Sequence, residues 1–172
     1  MIAVSLVLGV LFVPRTVVEP TVSVVATYKF ENVVGGLDWT KGWGLFLGFR
    51  EAGETVAVDL TAVHEVFVCL ARLQKIELDI KYLMNKLELY SLKEIDAFIA
   101  RVKSGEIPVG TPLPLQSAEC EEERLLKTGK VTFTIPCPGS YVLVVGKAAG
   151  YVASSFLLDV TVTKTTLTTR TL

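Results

Sequence analysis

His64 and Cys69 are the residues whose types would make a base and a nucleophile, since a thiolate beside an imidazole performs acyl transfer. They lie on one expected strand at an odd spacing, which sends their side chains to opposite faces, whereas a dyad needs hydrogen-bond contact. A serine triad would depend on the same histidine, because the chain has only one. An ordinary strand histidine and no catalytic residue are expected. Glu119, Glu121, Glu122 and Glu123 surround Cys120, and carboxylate oxygens suit calcium. Close neighbours along one chain splay to both faces, however, and no Asp-x-Asp-x-Asp-Gly loop accompanies them, so a solvated acidic turn is expected rather than a metal site. Trp39 and Trp43, in GGLDWTKGWG, have the type to stack on sugar rings, with Asp38 and Lys41 adding hydrogen bonds. Core or corner packing of these tryptophans is the competing reading. Neither G-x-G-x-x-G nor G-x-x-x-x-G-K-[ST] occurs, and no cofactor is expected.

The three cysteines, Cys69, Cys120 and Cys137, form no C-x-x-C, which excludes zinc ribbons and thioredoxin-type chemistry. A tight turn at Thr128-Gly129 would pair Lys127 with Lys130 and bring Cys120 opposite Cys137, making a cross-strand disulfide between them feasible. Cys69 with Cys120 is the rival pairing and would staple the base of a helical insertion. Three unpaired thiols are the remaining alternative.

The elements that would position these residues are mostly strands. Thr21–Glu31 alternates, with Val22, Val24, Ala26, Tyr28 and Phe30 on one face. Trp43–Arg50, Thr55–Leu60, His64–Leu70, Val131–Ile135, Ser140–Val145 and Tyr151–Thr163 read as further strands, separated by Gly and Pro turns. Between them the period changes. Leu73, Ile76, Ile80, Leu83, Met84 and Leu87 recur at three and four, as on an amphipathic helix. Ser91 and Glu94 have capping-box spacing before a second stripe, Ile95, Phe98, Ile99 and Val102, which Ser104-Gly105 ends. Pro108, Pro112 and Pro114 make Glu106–Ala118 an expected extended loop.

The expected architecture is therefore mainly β: an antiparallel β-sandwich, jelly-roll or Ig-like, at residues 21–163, with a helical hairpin inserted at 71–105. Residues 164–172 read as a threonine-rich tail, frayed or extended, with pairing to a neighbouring subunit as the alternative. A chain of 172 residues, 51% of them hydrophobic, with a mean hydropathy of +0.50, builds one core unaided. Seventeen Lys and Arg against 18 Asp and Glu offer no phosphate-neutralising surface, so no nucleic-acid partner is expected.

Residues 1–20 begin with the uncharged run Ile2–Val13, closed by Pro14-Arg15. As a helix this run covers about 18 Å, short of the roughly 30 Å hydrocarbon core, so a simple transmembrane helix is not expected. No Lys or Arg precedes it and no A-x-A site follows, as an export signal would have. Three readings stand: an export signal, an element of the domain itself, or a donor strand that completes a neighbour's sheet. In the third, Ile2, Val4, Leu6, Leu8, Val10 and Phe12 form one face, and Ala3, Ser5, Val7, Gly9, Leu11 and Val13 the other.

Two segments carry a resemblance. FREAGETVAVDLTA (Phe49–Ala62) resembles the strand, Gly-Glu, strand signature of small extracellular β-sandwich domains of the pre-peptidase-like, GOLD-like and archaeal surface types. GKVTFTIPCPGSYVLVVGKAAGYVASSFLLDVTV (Gly129–Val162) resembles their closing half, where a Pro, Gly and Tyr turn a corner between strands. The resemblance implies an extracellular or cell-surface structural module rather than an enzyme. With a donor strand at its N-terminus, such a module would be a subunit of an archaeal filament that polymerises head to tail with copies of itself. Membrane contact would run only through residues 1–13. A tethered carbohydrate-binding module using Trp39 and Trp43 is the alternative function.

Overall fold

A computed structural model of the chain describes residues 16–34, 42–81, 84, 91–147 and 155–171. Among these, alternation of apolar and polar residues produces one antiparallel sheet of six strands: β1 (Thr16–Val34), β2 (Gly42–Arg50), β3 (Thr55–Leu78), β4 (Pro112–Thr134), β5 (Gly139–Lys147) and β6 (Ser155–Thr171). One helix, α1 (Leu92–Ser104), precedes β4, and residues 80, 81 and 84 are also helical.

The first half of β3 lies between β6 and β4. Cross-strand rows run Ala26–Val162–Val56–Phe133 and Tyr28–Val160–Val58–Val131, and these apolar faces form one side of the larger core. Residues 62–65 then interrupt the register, and the neighbour of β3 on one edge changes from β6 to β5. Beyond that point β3 pairs with β5, β5 with β2, β2 with the start of β4, and β4 with β3 again, so the ladder closes a circuit. Both faces of β5 are buried: Tyr141, Leu143 and Val145 in the larger core, Val142 and Val144 in a second cluster with Phe46, Leu113 and Val102 of α1. A Cβ on Gly44 would lie 2.8 Å from side-chain carbons of both Leu115 and Val142, so only glycine fits where β2 passes between them.

The expected cap of α1 is present. Ser91 Oγ accepts from the Glu94 N–H at 3.2 Å, and Glu94 Oε2 accepts from the Ser91 N–H at 3.0 Å. Gly105, at φ 76°, ends the helix and donates to the Val102 carbonyl. Lys103 ties α1 to β3 by donating to the carbonyls of Leu73 and Ile76. Ser91→Ala is expected to cost about 1 kcal/mol, read by urea denaturation.

Four sequence expectations are corrected. Leu73 and Ile76 belong to β3, not to a helix. A register shift between Ala71 and Ile76 breaks strand alternation, so both residues enter the second cluster three apart and imitate a helical stripe. Residues 112–118 are strand rather than loop. Pro114 accepts from the Asp79 N–H at 3.0 Å, so its nitrogen faces the edge just before the β3 ladder ends at Leu78↔Leu115, where no N–H is required. Thr128-Gly129 is no turn: β4 passes straight through it, paired with Thr61 and Leu60. Residues 164–171 are not frayed, because they pair with Thr16–Ser23 of the same chain. That pairing also carries β1 unbroken across position 20, the expected end of the N-terminal segment. No helix among the described residues is long and apolar enough to cross a membrane.

Candidate functional site

Each candidate from the sequence has a definite environment or falls outside the described residues. Residues 2–13 and Trp39 lie outside them. Trp43 is in the core, 3% exposed, with its ring 5.1 Å from that of Phe30 and 5.8 Å from that of Phe156, both edge-on. It is a packing residue and presents no face for a sugar.

His64 sits in the irregular stretch at 62–65, and Cys69 is fully buried in a disulfide with Cys120, Cα to Cα 5.7 Å. That bond removes Cys69 as a nucleophile. Of the pairings left open, it is the rival Cys69–Cys120 bridge and not the possible Cys120–Cys137 one: without a turn at Thr128-Gly129, Cys120 stands opposite Ala71. Cys137 is a free thiol that accepts from Arg72 and lies 3.4 Å from the Tyr141 hydroxyl. Tyr141 donates to the Cys137 carbonyl at 2.9 Å, pinning the corner between β4 and β5.

Burial, followed by the hydrogen bond to Cys137, pushes the Tyr141 phenol up to about 12. The free phenol titrates near about 10, so the folded state holds this proton more tightly. Tyr141 therefore contributes fully below about pH 10, and its contribution is lost as pH rises to about 12. An alkaline titration of stability should fall through that window, and should fall less in Tyr141→Phe.

Glu119, Glu121 and Glu122 of the acidic cluster are spent on ion pairs. Glu119 meets Lys75 at 2.6 Å, Glu121 meets Arg72 at 2.9 Å, and Glu122 pairs with Arg124. Among the described residues no group of three or more His, Cys, Asp or Glu could hold a metal ion.

The feature the sequence reading missed is an arm. β3 stops pairing with β6 at Thr55↔Thr163, yet β1 and β6 continue together to Thr16↔Thr171. Over that length each strand has a single partner among the described residues. Val25 is an extra residue between Val24↔Thr163 and Ala26↔Val162. This bulge turns β1 over: Ala26, Tyr28 and Phe30 pack on the core, whereas Val24, Val22 and Val18 face the opposite side of the sheet. With Leu167 they form an apolar row, exposed by 64%, 64%, 55% and 73%. Glu19, Lys164 and Arg170 lie on the other face, where Thr21 and Thr168 share a hydrogen bond of 2.9 Å. The signal was the adjacent pair Val24-Val25, which puts one valine on the otherwise polar side of a period-two strand.

Neither a family model nor a curated protein matches the chain.

Proposed function

We propose that the protein is a structural subunit of an extracellular or cell-surface homopolymer, an archaeal filament in the reading the resemblance implies, and that residues 2–13 enter the sheet of the next subunit as a donor strand. One observation carries this reading: the arm carries Thr16 well beyond the last contact of β6 with β3. Thr16 stands at the outer end of the ribbon, eight residue pairs beyond the last contact with β3, or about 27 Å at strand spacing. In this reading residues 2–13 would leave the domain from that outer end, as an exchanged strand must. Its main-chain groups would pair along a free edge and one side-chain row, Ile2 to Phe12, would fill the acceptor's apolar surface. Such head-to-tail exchange does not close on itself and builds a fibre.

The same reading takes the two cores on either side of β3 as those of a sandwich, with residues 79–111 inserted between β3 and β4 and no catalytic role. A disulfide suits an oxidising compartment outside the cell. The carbohydrate-binding alternative loses Trp43 to the core. The test is Leu6→Asp with Leu8→Asp in the full chain. Light scattering should show the polymer abolished while the circular dichroism spectrum is kept. Polymer formation at the original rate in that variant would overturn the reading.

A further inference from the structure

The arm meets the body of the domain at one level of the sheet. β6 leaves β3 at Thr55↔Thr163, and the Val25 bulge of β1 lies between Val24↔Thr163 and Ala26↔Val162. A bulge bends its strand and adds twist, and a ribbon of two strands is marginal by itself. The next pair outward is Ser23↔Lys164. The Lys164 carbonyl accepts from Ser23 Oγ at 3.2 Å, and its ammonium reaches back across the bend to the Glu51 carboxylate on the turn between β2 and β3. We infer that the arm is hinged at Val25 and that the ion pair Glu51–Lys164 is a strap across the hinge, closed while both groups are charged.

The body end of the strap is fixed. Gly53 donates to the Ile135 carbonyl at 2.9 Å, and Ile135 donates to the Glu54 carbonyl at 2.8 Å, which ties the turn to β4. Thr55 and Thr163 share a hydroxyl hydrogen bond of 2.7 Å, the last side-chain tie before the arm departs. An exposed ion pair adds little to the stability of a whole domain. Here it competes only with bending of a ribbon at a bulge, so a weak tie is enough to choose the angle.

The strap responds to acid and to salt. The hydrogen bond from Lys164, followed by its charge, holds the Glu51 carboxyl below the usual carboxylate range, and the same contact holds the Lys164 ammonium above its usual value. Arg50 and Glu54 are the other charged groups of the turn, and Glu54 also favours the charged lysine. Ser23 of β1, Thr55 of β3 and Ile135 of β4 do not titrate in this range. The strap is therefore closed through neutral pH and opens as pH falls through the lowered Glu51 value.

Electron–electron distance measurements on the full chain test it. With Cys137→Ser removing the free thiol, spin labels go on Thr169→Cys in the arm and on Thr132→Cys, exposed on β4. Labelled chain is diluted into unlabelled chain, so distances within one chain are read whether or not residues 2–13 are exchanged. Glu51→Gln should broaden the arm-to-body distribution, and the charge exchange Glu51→Lys with Lys164→Glu should narrow it again. Salt at about 1 M, which screens charges beyond about 3 Å, should broaden the parent and leave Glu51→Gln as it is. A distribution that Glu51→Gln leaves unchanged, narrow or broad, overturns the inference, because the strap would then not set the angle.

Discussion

Replacing Cys69 and Cys120 together by alanine lowers the unfolding free energy by about 4 kcal/mol, the loop-entropy value for cysteines 51 apart. For a chain of this length that is a fall of about 12 °C in melting temperature. The size follows from what the bond encloses. Its loop contains the end of β3, the helical segment and the start of β4, which in the unfolded chain would otherwise sample a large volume. The bond also spans the place where β4 shifts register against β3, between Leu70↔Glu122 and Ala71↔Cys120, and the ladder alone holds that place less firmly. Urea denaturation with and without reductant reads the effect, and Cys137→Ala, outside the bond, serves as the control. An unchanged midpoint on reduction would show that the bond contributes nothing.

Arg50→Ala is expected to cost about 3 kcal/mol, the typical loss when one member of a buried ion pair is removed. Arg50 and Glu54 face each other at 3.5 Å across the turn between β2 and β3, and their side chains are only 11% and 8% exposed. Glu54 is the one buried charged residue among the described residues. Its backbone is committed as well, since its carbonyl accepts from Ile135 at 2.8 Å and its N–H donates to Glu51. Removing the guanidinium therefore leaves a buried carboxylate without its ion-pair partner. Arg50→Met with Glu54→Leu, which removes both charges and keeps the volume, should recover most of the loss. Thermal melts of the single and double variants decide it; a double variant as unstable as the single would contradict the account.

Where the pattern of one strand or helix was regular, it could be read directly. Val56, Val58 and Leu60, the alternating run at 131–135 and the cap Ser91–Glu94 all behave as their spacing requires, because each depends only on near neighbours. The misreadings fall where partners far along the chain decide. Leu73 and Ile76 lose alternation to a bulge forced by β4, and Pro112 and Pro114 are tolerated because of which edge they turn to β3. Thr128-Gly129 has turn composition, but the length of β3 opposite keeps it straight. The arm is the same case. Thr165, Thr166, Thr168 and Thr169 show no apolar period, and only their register with Thr16–Ser23 gives Leu167 a set of neighbours.

The most direct test of the account is electron microscopy of the native full chain beside a chain lacking residues 1–13. Regular fibres from the first and separate folded particles from the second are predicted. The same fibres from both would show that residues 1–13 donate no strand, and separate particles from both would show that the protein is no filament subunit.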